Sequence, residues 1–184
     1  MTMLTKWGAA LDRSCPLPEY PRPQLRRESF YNLNGVWDYA VTPSGDEPGV
    51  WDGEIVVPFS PEAPLSGAAR GPAKDEYLHY RRSFTLPEGF QKSCVLLHFG
   101  AVDQIAEVFV NGVSAAKHSG GYWPFSADIT SLLREGENIL RVTVRDNADD
   151  PTFAYGKQRY KRGGMWYTAQ SGIWQTVWLE SVPE

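Results

Sequence analysis

Asn138-Ile139-Leu140-Arg141-Val142-Thr143-Val144-Arg145 sets the apolar residues Leu140, Val142 and Val144 alternately with Arg141, Thr143 and Arg145. Successive side chains of a strand point to opposite faces, so this period of two marks a strand with one face in a core and the other in solvent. Antiparallel pairing follows, because antiparallel sheets are the ones that keep one wet face. Upstream, Val110-Asn111-Gly112-Val113 carries matching turn chemistry. A two-residue hairpin turn takes positive φ at both central positions, which Asn-Gly adopts readily. Further short β-type runs are expected at Val36–Thr42, Glu54–Val57, Leu78–Leu86, Cys94–Phe99, Ile105–Val110 and Ile173–Val182, with turn residues between them. The one helical piece expected is a short turn from Asp128 to Leu133, capped by the Asp128 side chain.

The rest of the chain fits this frame. Its 184 residues include 7 Trp, 9 Tyr and 8 Phe, with 17 Gly and 14 Pro as punctuation, a composition of strands and turns. No strand–helix alternation supports an α/β fold, so the expectation is an all-β antiparallel β-sandwich with jelly-roll topology. Prolines 16, 18, 21 and 23 fix φ and remove donors near the start. Residues 1–20 are therefore expected to form an extended N-terminal segment along the outside of the body, with residues 21–184 forming the jelly-roll. Two stretches exceed ordinary loop length, Pro58–Glu76 and Asp146–Ser171, and loops that long usually have a function or are disordered.

Charge and motifs exclude several classes. A formal charge of −4 leaves no basic stripe for nucleic acid, and a mean hydropathy of −0.39 with no long apolar run argues against a membrane span. Met1 to Cys15 has no apolar signal-peptide core, so a cytoplasmic location is expected. Cys15 and Cys94 read as plain thiols, too far apart for a zinc motif. None of His79, His98 and His118 stands with a nucleophile elbow, and His98, in an apolar run, reads as structural. The acidic run Asp146-Asn147-Ala148-Asp149-Asp150 reads as a solvated turn before a calcium loop, since it lacks the ligand spacing. Glu107, Glu135 and Glu137 do not make a facing carboxylate pair of the kind glycoside hydrolysis needs. No catalytic residue, metal or cofactor is expected. What remains is aromatic: Gly120-Gly121-Tyr122-Trp123-Pro124-Phe125 and Met165-Trp166-Tyr167 set flat faces beside glycines and amides, a chemistry suited to sugar rings. Trp174 and Trp178, four apart in an expected strand, read as core. Trp166 reads equally as a contact or as packing.

These residues carry a resemblance. Tyr20-Pro21-Arg22-Pro23-Gln24-Leu25-x-Arg27, Leu33-Asn34-Gly35-x-Trp37, Val110-Asn111-Gly112, His118-x-Gly120-Gly121-Tyr122-x-Pro124-Phe125, Asp128-Ile129-Thr130 and Ser171-Gly172-Ile173-Trp174 follow one another as in the N-terminal sugar-binding domain of glycoside hydrolase family 2. The resemblance implies a galactose-binding-like jelly-roll, non-catalytic in itself. Its parent would hydrolyse O-glycosyl bonds of β-linked sugars, as β-galactosidases, β-glucuronidases and β-mannosidases do. It also implies partners, namely a downstream immunoglobulin-like domain and a TIM barrel bearing the catalytic glutamates. The present sequence has no Asn-Glu dipeptide like the family's acid/base pair, so this chain alone is expected to be inactive. In several family members an aspartate six residues before the Ser/Ala-Gly-Ile glycine touches the sugar. Here Trp166 holds that place, so the family's sugar preference does not carry over, and stacking or a structural role are both open. The loop residues Lys157, Gln158, Arg159, Trp166, Tyr167 and Gln170, with Trp123, are the expected substrate-binding or domain-docking set. The alternative is a free-standing, lectin-like module using Trp123 or Trp166 as a stacking platform.

Overall fold

Alternating apolar faces are buried between two antiparallel sheets in the computed structural model, which describes residues 4–183. The four-stranded sheet has the order β1 (Phe30–Asn32), β14 (Val177–Val182), β5 (Cys94–Phe99), β9 (Phe125–Asp128). The six-stranded sheet has the order β3 (Gly53–Val57), β2 (Gly35–Thr42), β4 (Tyr77–Thr85), β10 (Glu137–Arg145), β7 (Ile105–Val110), β8 (Val113–Ser119). Neighbours in space are often far apart in sequence, as with β4 beside β10 and β1 beside β14, because the chain repeatedly crosses between sheets as a jelly-roll does. Two-residue pairs complete the ladders: β6 (Val102–Asp103) with β13 (Gly172–Ile173), and the parallel pair β11 (Gln158–Arg159) with β12 (Tyr167–Thr168).

On β10, Leu140, Val142 and Val144 are fully buried and meet Trp37, Tyr80, Leu97 and Phe99 in one core. The expected hairpin forms with Asn111 at φ 52° and Gly112 at φ 84°. Several quoted motifs turn out to be fasteners. The Asn34 amide donates to Pro16 O (3.1 Å) and accepts from Val177 N (3.0 Å), tying the N-terminal segment to the start of β14. Trp37 Nε1 donates to Leu33 O at 2.8 Å. Tyr20 and Arg27 both reach the buried Glu180 carboxylate at 2.7 Å, Trp178 Nε1 donates to it at 2.8 Å, and Arg22 lies 5.0 Å over the Trp178 ring.

The structure differs from the sequence reading at several elements. The N-terminal segment carries one turn of α-helix, α1 (Lys6–Ala9), because Thr5 Oγ1 takes the Gly8 N–H at 3.1 Å and caps it; residues 1–3 and Glu184 lie outside the described residues. Pro23–Leu25 is a 3₁₀ turn. The short turn expected at Asp128–Leu133 is a 3₁₀ turn over Thr130–Leu132, with Asp128 Oδ1 accepting from Thr130 N at 2.9 Å. Phe30–Asn32 and Phe125–Asp128, not expected as strands, pair at the sheet edges. The expected strand Ile173–Val182 is two strands in different ladders, broken at Trp174–Thr176. The Asn34 side chain takes the Val177 N–H there, so β14 starts three residues after Trp174. Trp178 is core as expected, at 1% exposure, whereas Trp174 is only half-buried and leaves the core.

Candidate functional site

Strand register sets the frame of the site. Thr42, Tyr77, Arg145, Ile105 and Ser119 are neighbours in consecutive strands of the six-stranded sheet, so the segments that continue from them emerge at one end of the sandwich. These are the Pro58–Glu76 loop, the Asp146–Ser171 loop, Asp103-Gln104 and the Gly120–Pro124 loop. The long loop is folded, not slack. Tyr167 N donates to Lys157 O at 2.8 Å, and Gly163 and Trp166 exchange backbone bonds of 3.0 and 3.1 Å, closing a tight turn at Gly164-Met165.

Gln158 fastens this loop to its neighbours. Buried to 8% exposure, it donates from Nε2 to Asp103 Oδ2 (2.9 Å) and to the Tyr122 hydroxyl (3.4 Å), while its Oε1 accepts from Gln170 N (2.6 Å). On the other side Trp174 Nε1 donates to Gly121 O at 2.8 Å, and the Tyr122 and Trp174 rings meet edge to face at 5.9 Å. Between the loops lies a cleft of about 190 Å³. Tyr122, Tyr155, Tyr167 and Trp174 are its aromatic walls, and Asp103, Lys157, Gln158 and Gln170 supply its polar lining. Gly121 has to be glycine, since a Cβ there would overlap Asp103 Oδ1. Burial pushes the Asp103 carboxyl up to about 6 against the opposing pull of the Gln158 bond. Burial, and then the Asp103 charge, raises the Tyr122 phenol.

The expected residues divide between this cleft and its surroundings. Lys157, Gln158, Tyr167 and Gln170 line it. Trp166 does not: half-buried beside the cleft, it lies under the Arg159 guanidinium at 4.3 Å, and Arg159 also contacts the Tyr155 ring and Asp149 (3.5 Å). Trp123 is 69% exposed beyond the cleft. Sequence reasoning missed Asp103, Tyr155 and Trp174 as lining residues. The signal for Asp103 was the polar pair Asp103-Gln104 interrupting the apolar run from Ala101 to Ala106, both members nearly fully buried. The acidic run does not act as one unit: Asp146 is buried, Asp149 meets Arg159, and Asp150 Oδ1 accepts from Thr152 N at 2.8 Å. Among the described residues no three His, Cys, Asp or Glu side chains converge as metal ligands. His79 and His98 are engaged with Thr42 and Ser126. The cleft can stack a ring and hydrogen-bond hydroxyl groups.

Comparison with known proteins identifies the family of the chain. Residues 63–183 match the family model described as "Glycosyl hydrolases family 2, sugar binding domain". A β-galactosidase of Thermoanaerobacter pseudethanolicus is 34% identical over 105 residues, covering 55% of this chain and 13% of that protein. A β-galactosidase of Bacteroides ovatus is 34% identical over 129 residues, covering 70% of this chain and 14% of that protein. A β-glucuronidase structure from Ruminococcus gnavus superimposes with a TM-score of 0.67 over 90% of this chain and 31% of its own, at 23% identity, a likeness of fold. The chain thus spans a small part of the relatives it matches.

Proposed function

From the chain's membership of glycosyl hydrolase family 2, as its sugar binding domain, we infer that it is the non-catalytic, substrate-facing part of a larger enzyme that hydrolyses O-glycosyl bonds of β-linked sugars. In that protein a downstream immunoglobulin-like domain and a barrel would supply the catalytic carboxylates. The end of the sandwich bearing the cleft would form one side of the substrate entrance. The observation that carries this reading is the cleft itself. Tyr122, Tyr167 and Trp174 offer ring faces while Gln158, Gln170 and Lys157 offer hydrogen-bonding groups, and Tyr167 is exposed to whatever enters. Stacking plus amide hydrogen bonds is the combination that recognises a pyranose.

Within this reading Tyr167 and Gln170 stand nearest the sugar, and Trp166, braced by Arg159, holds the rim. In the full-length enzyme, Tyr167→Ala is expected to lower kcat/KM on the true substrate about tenfold or more, the loss of one ring contact worth roughly 1–2 kcal/mol, and Trp166→Ala to lower it less, through the loosened rim. Unchanged kcat/KM in both variants would reduce the loop to a domain-docking element.

A further inference from the structure

Beneath the cleft the chain buries carboxylates without giving them a cation. Asp103 and Asp146 are 2% and 1% exposed, and Glu62 is half-buried. They come from three separate segments: the end of β6, the residue after β10, and the Pro58–Glu76 loop. Among the described residues no Lys or Arg forms an ion pair with any of them. Glu62 accepts from Ser171 N (3.2 Å) and Oγ (2.9 Å), and Asp103 Oδ2 accepts from Gln158. Asp103 Oδ1 and both oxygens of Asp146 make no well-formed hydrogen bond, the donors beside them being the Gln104 amide for Asp103 and the Ser171 hydroxyl for Asp146. The other titratable groups facing the cluster are the tyrosines Tyr80 from β4, beside the Ile173 backbone, Tyr39 from β2 toward Glu62, Tyr122 from the Gly120–Pro124 loop and Tyr160 from the long loop, with Lys157 sharing the cleft lining with Asp103 and Arg162 sharing a groove with Glu62.

An ionised carboxylate in such a place is far costlier than the neutral acid, and two side by side are costlier still. We propose that Asp146 is a positioning residue, a proton-loaded latch beside the Asp103 anchor that holds the cleft-forming loops closed while protonated and releases them when its proton leaves. A protonated Asp146 brings an O–H donor among the carboxylate acceptors and spares the site a second buried negative charge. It also leaves Asp103 in place as the anchor of Gln158, through which the long loop and Tyr122 are held. Burial, then the neighbouring Asp103 charge, pushes Asp146 up to about 8, and burial pushes Asp103 up to about 6. Asp146 thus holds its proton through neutral pH and sheds it as pH rises through about 8. The loops released are those of the proposed sugar-facing site, so the latch rests on that reading for its purpose, though not for its existence.

The test uses the chain without sugar or barrel. Carboxyl ¹³C shifts of Asp103 and Asp146 are followed by NMR from pH 5 to 9, together with amide exchange of Tyr167 and Gln170 corrected for the intrinsic pH dependence. The expected result is an Asp146 midpoint above 7 and a loss of protection at both amides of tenfold or more across it. Asp146→Asn, neutral at every pH, keeps that protection to pH 9, and Asp103→Asn shifts the Asp146 midpoint downward by removing the neighbouring charge. An Asp146 midpoint near 4, or protection that does not change across the midpoint, overturns the latch. So does an Asp146→Asn variant that loses protection at the same pH as the wild type. If the variants do not fold, the wild-type titration and exchange decide it. Failure of the chain to bind glycosides would leave these readouts untouched, so the two proposals fail separately.

Discussion

Replacing Gly172 by alanine should break the junction where the long loop rejoins the sandwich. Gly172 has φ +70°, a left-handed conformation that costs an L-residue roughly 1–2 kcal/mol. An added Cβ would overlap the Tyr80 hydroxyl and lie 3.0 Å from Leu78 Cδ1. Both neighbours are fully buried, and the Tyr80 ring packs edge to face on Tyr39 at 5.4 Å, so it has little room to retreat. Overpacking of this kind costs about 1–3 kcal/mol, and with the backbone cost Gly172→Ala should destabilise by about 2–5 kcal/mol. In urea, with a slope of about 2–3 kcal/mol/M, the midpoint should fall by roughly 1–2 M. Tyr80→Phe separates the two causes. The Tyr80 hydroxyl makes no well-formed hydrogen bond, only a weak one with the Ile173 backbone, so removing it alone should change stability by about 1 kcal/mol or less. In the double variant the overlap with the hydroxyl is gone while the 3.0 Å contacts with Leu78 Cδ1 and the ring Cζ stay, so part of the packing cost should return, a recovery of about 1–2 kcal/mol. Gly172→Ala within about 0.5 kcal/mol of wild type would refute the reasoning, as would a double variant no more stable than the sum of its parts.

Three other outcomes are expected. Glu180→Ala leaves Tyr20, Trp178 and Arg27 without their shared acceptor and should cost about 2–4 kcal/mol, with limited proteolysis cutting first between residues 18 and 28. Asp146 has a native pKa raised to about 8 from 3.8, so the folded state binds the extra proton between these values. Stability should therefore fall as pH rises from about 4 to about 8, at about 1.4 kcal/mol per unit as an upper limit that loop opening reduces. The difference between wild type and Asp146→Asn in urea melts across that range isolates the effect, and two parallel curves would contradict it. The isolated chain should not hydrolyse chromogenic β-glycosides and should bind free monosaccharides with Kd on the order of millimolar or weaker, because a cleft of this size offers few contacts. Calorimetry showing micromolar binding would favour a free-standing lectin-like module.

Trp174 and Trp178 show where the sequence stops being readable. Their spacing and surroundings are alike, yet one is core and the other walls the cleft. Which is which depends on Asn34, some 140 residues away, taking the Val177 N–H and so setting where β14 begins. Trp166 and Tyr167 are adjacent in the chain, but the short β12 turns Tyr167 to the cleft and leaves Trp166 under Arg159. Lys157, Gln158 and Gln170 could be named from the loop's amide and basic character. That Gln158 is the fastener among them needed the position of Asp103.

Period-two alternation, the Asn111-Gly112 turn and the proline-rich start are local features. They act through backbone conformation and the burial of one face, and so the sequence by itself determined an antiparallel sandwich and most of its strands. The order of motifs from Tyr20 to Trp174 likewise determined the family. The tertiary structure alone decided which loops share an end, which aromatics face solvent, and that Glu62, Asp103 and Asp146 lie together without a counter-charge. Those facts arise from strand register and from burial, which are properties of segments brought together from across the chain.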